Sequence, residues 1–196
     1  MNVINIMNET DIEKIIFIKN DIKLTMIEKN KYILNFEFTN PNSNINLENI
    51  INFNLFKLIF DINKNDILED FNLTMHSDSN GILYILIKHF FDDFGISQKY
   101  VNLDITLQKN NNKFIFNCIT NYDFQNHNYI PNTPTCIIPI NIESIFEIIT
   151  PNKVLIKNTI IFEKMNEIPE FIEKIAITII CKIITRIKNF ICKINL

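Results

Sequence analysis

The chain has 196 residues, a formal net charge of −3, 47% hydrophobic and 21% charged residues, which allows a sizeable core and excludes both a disordered chain and general affinity for nucleic acid. Only two glycines are present, Gly81 and Gly95, so neither a Walker loop nor a dinucleotide fingerprint can be built, and the single arginine, Arg186, removes the commonest reader of guanine. Forty-four Ile and 32 Asn stand against one Ala and three Val; this follows AT-rich codons and points to a viral or parasite kind of genome, so each apolar stripe has to be judged by its spacing.

The opening MNVINIMNETDIEKI lacks a basic region followed by a continuous apolar one, so no secretory signal is expected and the chain reads as intracellular and cytoplasmic. No apolar run is long enough to span a bilayer. Apolar and polar residues then alternate through Ile22, Leu24 and Met26, and again through Tyr32, Leu34, Phe36 and Phe38, around a polar turn at 28–31. That predicts a β-hairpin. The segment 46–60, NLENIINFNLFKLIF, places Ile50, Ile51, Leu55, Leu58 and Ile59 at helical spacing with Asn46 as its cap, which predicts a helix. A strand is expected over 67–75, and 80–95, NGILYILIKHFFDDFG, reads as a second helix ended by Gly95 or, at its start, as a buried strand. A second hairpin follows, with Leu103, Ile105 and Leu107 leading through an Asn/Lys turn to Phe114, Phe116 and Cys118.

The Pro, Asn and Thr cluster over 122–135 reads as a flexible loop. CIIPI (136–140) is expected as a short strand demoted toward an edge by Pro139. NIESIFEIITP (141–151) reads as a short helix capped by Asn141 and stopped before Pro151, KVLIKNTIIFEK (153–164) as a strand, and 168–195 as a long helix with Pro169 at its first position. These elements give a single α+β domain over 1–196: a mainly antiparallel sheet of two β-hairpins plus extra strands, packed against helices and closed by a C-terminal amphipathic helix.

Chemistry has few places to reside. His89, Asp92 and Asp93 stand at i, i+3 and i+4 on the expected second helix, and His76 with Asp78 precedes them; these are candidate metal ligands, although solvated acids beside inward Phe residues account for them better and no metal is expected. Cys136 and His127 are the one conceivable thiol and imidazole pair. No catalytic constellation or cofactor is otherwise indicated, and the four cysteines, Cys118, Cys136, Cys181 and Cys192, read as free thiols. The lysines near Cys181 and Cys192 are expected to lower their pKa.

The C-terminal helix carries the strongest signal. Ile172, Ile175, Ile179, Ile183, Ile187, Phe190, Ile191 and Ile194 belong to an apolar arc of about 200°, twice what an ordinary surface helix needs. The opposite face is basic, with Lys174, Lys182, Arg186, Lys188 and Lys193 and no acid after residue 173, whereas 61–104 carries eight acids against three lysines. Such an arc can close the core, meet a second copy or a protein partner, or lie on a membrane surface. A sheet followed by a long closing helix resembles, in element order, the helix-grip or START-like domains, although a hairpin precedes the first helix here; that resemblance implies a cavity for an apolar ligand between helix and sheet. The sequence reading favours a non-enzymatic accessory protein acting through a protein or oligomer interface, with a carrier of an apolar ligand or lipid as the alternative and membrane-surface association as the next.

Overall fold

The computed structural model describes residues 13–90, 92, 97–121, 134–136, 139–162 and 170–194, with backbone only at 135, 136, 139, 140, 170–173 and 176. The strands are β1 (Lys14–Lys19), β2 (Ile22–Glu28), β3 (Lys31–Thr39), β4 (Leu68–Ser77), β5 (Asn80–Ile87), β6 (Lys99–Asn110), β7 (Lys113–Thr120), β8 (Thr135–Cys136), β9 (Pro139–Thr150) and β10 (Lys153–Phe162). A 3-10 turn (Leu47–Ile50) and α1 (Asn54–Asn63) lie between β3 and β4, and α2 (Glu170–Ile191) follows β10. The sheet runs β1-β2-β3-β10-β9-β7-β6-β5-β4, with β8 off this path beside β6. All neighbours on the path are antiparallel, and β8 alone is parallel to its partner. The expected α+β architecture with a closing C-terminal helix is therefore the observed one.

Asparagine takes over turn positions that glycine usually fills. Asn20 and Asp21 have φ of 51° and 62° and make the two-residue link between β1 and β2, the left-handed pair that a tight hairpin requires. Asn30 (φ 68°) and Asn111 (φ 52°) turn β2 into β3 and β6 into β7; Asn tolerates this region better than other residues bearing a Cβ. Both hairpins read from the alternation are present, and the strand expected at 67–75 is β4.

Three helical expectations are corrected. The segment 46–60 is not one helix. Asn46 does cap, its Oδ1 accepting from Glu48 N at 3.0 Å, but the turn ends at Ile50 because Ile51 and Phe53 are drawn into the core, and α1 starts afresh at Asn54. The segment 80–95 begins as β5, the buried-strand alternative. Leu83 faces the core while Tyr84 and Leu86 are covered on the opposite side, so both faces are apolar and period-two alternation is lost. Gly81 suits this strand because a Cβ there would lie 2.9 Å from Thr74 O. The segment 141–151 is a central strand, not a helix: Asn141 lies within β9, and Pro151 forms the turn into β10. Pro139 does not mark an edge either. It opens β9, where the register to β10 shifts between Ile161 and Phe162, a position that tolerates a missing N–H.

The inward side chains of β3, β6, β7, β9 and β10 form one core with Ile184, Ile187 and Ile191 of α2. Phe116, almost wholly buried, is ringed edge-on by Phe53, Phe56 and Phe146 at 6.1, 5.4 and 5.5 Å. Helix α1 packs against both α2 and β4, and α2 also meets β3.

Candidate functional site: the space between sheet and closing helix

Cross-strand register sets the inward wall rank by rank. Val154 of β10 lies between Phe38 and Ile148, Ile156 between Phe36 and Phe146, Asn158 between Leu34 and Ser144, and Ile160 between Tyr32 and Ile142. The first two ranks make a closed end, where Phe36, Phe38, Phe146, Val154 and Ile156 are all buried. A narrow apolar cleft of about 10 Å³, room for about one water, lies there, lined by Phe38, Leu47, Ile51, Leu55, Val154 and Ile191 among others. That lies below the roughly 300–1,000 Å³ of a typical small-molecule pocket.

The other two ranks behave differently. Tyr32, Ile142, Ser144, Asn158 and Ile160 point to the same concave side yet each remains partly exposed, whereas Leu34, Phe116 and Cys118 of the same ranks are buried. Phe162 stands edge-on to Tyr32 at 5.9 Å. Helix α2 is divided in the same way. Ile184, Ile187 and Ile191 are buried, whereas Ile175, Ile177, Ile179 and Ile180 are all only partly covered.

The C-terminal half of α2 is held by polar contacts from four directions. Asn40, with no exposed surface, donates through Nδ2 to Ile191 O at 2.6 Å and Ile194 O at 3.0 Å, adding a buried donor at the helix end, where Ile194 N also reaches Ile191 O at 3.3 Å. Asn40 is fixed in turn by Asn152, whose Nδ2 donates to Asn40 O at 2.8 Å. Arg186 pairs with Asp66, just after α1, and the guanidinium holds the Asp66 carboxyl below its ordinary range. Lys188 Nζ donates to Asn20 O at 3.1 Å, and Cys192 Sγ to Thr39 O at 3.1 Å. Two members of the basic face, Arg186 and Lys188, are thus engaged by the contacts above; the side chains of Lys174, Lys182 and Lys193 are exposed.

The helix packs along Ile177, Ile180, Cys181, Ile184, Ile187, Ile191 and Ile194. Of the residues selected from sequence, Ile183, Ile187, Ile191 and Ile194 all pack against the core; Ile175 and Ile179 are partly covered, Phe190 is 41% exposed, and the side chain of Ile172 lies outside the described residues. The wall residues Tyr32, Ile142, Ser144, Asn158 and Ile160 were not selected. Their only signal is Asn158 and Ser144 themselves, polar residues at positions that period two assigns to an apolar face.

The remaining candidates do not converge. His89 and Asp92 are 3.8 Å apart, but His76 and Asp78 belong to the β4–β5 hairpin and are exposed, and the segment meant to align the group is a strand up to Ile87, with His89 and Asp92 beyond its end. Asp93 and His127, and the side chain of Cys136, lie outside the described residues, and among those described no three His, Cys, Asp or Glu gather to hold a metal. Cys118 lines the wall with its thiol pushed up to about 12 by burial, which keeps it protonated. Burial also raises Cys181 and outweighs the nearby Lys19, so lysine proximity does not activate that thiol as expected. No helix among the described residues is long and apolar enough to cross a membrane.

No family model and no curated protein matches the sequence. Solved structures do match. Human STARD10 superposes with a TM-score of 0.66 at 8% identity, covering 92% of this chain and 72% of its own. The lipid transfer and protein localization domain of human StarD13 gives 0.65 at 8% identity, covering 93% and 90%. A STAR-related lipid transfer protein from Xanthomonas axonopodis gives 0.63 at 9% identity, covering 91% and 98%. At such identities the likeness establishes the START-like helix-grip fold and nothing finer.

Proposed function

We propose that the chain carries an apolar ligand, of lipid type, between the sheet and α2. The observation that supports this most directly is the half-filled concave face: aromatic and aliphatic side chains pack it tightly at one end, while Tyr32, Ile142 and Ile160 remain partly exposed at the other. An apolar wall left in contact with water forgoes about 25 cal/mol for every Å² it would gain on being covered, and an apolar ligand is the occupant that recovers it. The lipid transfer activity named for the similar structures is consistent with this reading. An interface with a partner chain, favoured on sequence grounds, has less support, because the C-terminal half of the apolar arc is taken up by the chain's own sheet at Ile184, Ile187 and Ile191.

Native mass spectrometry of gently purified full-length protein tests the proposal. A monomer carrying a few hundred daltons of mass, released by organic extraction, is the expected result. A symmetric oligomer without added mass, and without uptake from lipid vesicles, overturns it in favour of the interface.

A further inference from the structure

We propose that the outer flank of α2, where Lys182, Arg186 and Lys88 gather around Asp66, is a binding site for a phosphoryl group, separate from the chamber. At about 100° per residue, Lys182 and Arg186 lie roughly opposite Ile184 and Ile191 of the packed seam, so a ligand here meets solvent and not the sheet. Lys88 reaches the same place from the end of β5. Its backbone N donates to Ile67 O at 3.0 Å and its Nζ donates to Asn65 O, which fixes it beside the link between α1 and β4. Arg186 Nη2 donates to Asp66 Oδ2. The Asp66 carboxyl is lowered first by that hydrogen bond and the charge of Arg186, then by the charges of Lys182 and Lys88; all three cations therefore act on one carboxylate.

The charges do not balance. Asp66 offsets one of the three, and the C-terminus of α1 contributes about half a negative charge, which leaves about one and a half positive charges. The other acids of this stretch are engaged elsewhere: Asp61 with Lys64 at 3.8 Å, Glu69 with Gln98 at 2.5 Å, and Asp92 with His89 at 3.8 Å. Lys182 and Arg186, four residues apart on one helix, repel each other unless an anion lies between them. Donors are also in surplus. Lys182 has no partner among the described residues, and one arm of the guanidinium fork holds Asp66 while the rest is open to a second acceptor. A phosphoryl group carries roughly −1.5 to −2 charges and three acceptor oxygens, which matches both the missing charge and the free donors; the fork geometry of arginine suits it. A single carboxylate would match neither, and Asp66 already holds that place.

The test is titration of the full-length protein with inorganic phosphate against chloride at equal ionic strength, read by the amide resonances of Lys88, Lys182 and Arg186. Saturable shifts with phosphate and none with chloride are expected. Arg186→Gln should weaken binding by about tenfold or more, the loss of a charged hydrogen bond. Lys182→Gln should weaken it by about fivefold, and Asp66→Asn should tighten it by about as much, since a competing negative charge is gone. Lys157→Gln, which removes the same charge from the outer face of β10, should bind phosphate as the unaltered protein does. Vesicles of phosphatidylcholine with and without phosphatidic acid separate two sources of this chemistry: retention by phosphatidic acid that is lost in Arg186→Gln assigns the group to a membrane lipid, and phosphate binding without retention assigns it to a soluble molecule. Phosphate indistinguishable from chloride, with phosphatidic acid either ignored or still retained by Arg186→Gln, overturns the site. So does equal weakening by Lys157→Gln and Lys182→Gln. Neither result touches the carrier reading. Because Lys182 is exposed, Lys182→Gln keeps the test decisive even if Arg186→Gln does not fold.

Discussion

The closed and open ends of the grip are built on the same three strands from nearly the same amino acids, and they differ in what covers them. Around Ile156 and Val154, the anchored half of α2, the 3-10 turn and α1 complete the packing. Two to four residues further along β10, Asn158 and Ile160 are partly exposed, as are Ile175, Ile177, Ile179 and Ile180 in the first half of α2. Isoleucine content therefore does not decide what is core and what is chamber; distance from the Asn40 and Asp66 anchors of α2 does.

The largest expected contrast is between Phe116→Ala and Ile160→Ala. Removing the ringed Phe116 should cost about 3–5 kcal/mol, roughly 10 °C of melting temperature, whereas Ile160→Ala should cost about 1 kcal/mol and mainly reduce ligand retention. Equal losses in thermal unfolding would erase the distinction between the two ends. Next comes Asn40→Ala, which leaves two helix carbonyls without their buried donor and should cost about 2–3 kcal/mol. Hydrogen exchange should accelerate in the last turn of α2 and not in β9. Overfilling sharpens the comparison further: Ile105→Phe, at a buried inward position, should destabilise by about 1–3 kcal/mol, while Ile142→Phe should cost less than about 1 kcal/mol and displace bound ligand.

The smallest effect concerns pH. The folded Asp66 carboxyl is held below its ordinary value by Arg186, so its contribution is present above about pH 4 and is lost as pH falls through the lower folded value. The pair is solvent-exposed, so the acid loss attributable to it should be roughly 2 °C or less. It should disappear from the pH profile of melting temperature in Arg186→Gln.

Local periodicity made the two hairpins legible, because Leu34, Phe36 and Phe38 on one strand, or Phe114, Phe116 and Cys118 on another, have a single reading at period two. It failed for β9, where Ile142, Ile145, Phe146 and Ile149 satisfy helical spacing, while the period-two face of Ile142, Phe146 and Ile148 is interrupted by Ser144. Asn141 and Pro151 then imitated a helix cap and stop. It failed for β5 because a strand covered on both faces shows no alternation. The breadth of the apolar arc of α2 was legible; the seam through Ile177, Ile180 and Ile184 was not, since an arc of that width leaves the rotation of the helix undetermined.

From the sequence alone come the α+β class, the two hairpins, the closing helix, and the absence of any glycine-rich phosphate loop, all properties of short windows of chain. Only the tertiary structure decides that β3 lies beside β10, more than a hundred residues away in sequence. That pairing sets Tyr32 next to Ile160 and Asn158 between Leu34 and Ser144. Strand register across such a separation follows from how the whole core packs, and a slip of one residue would turn Ile160 to the outside and erase the site.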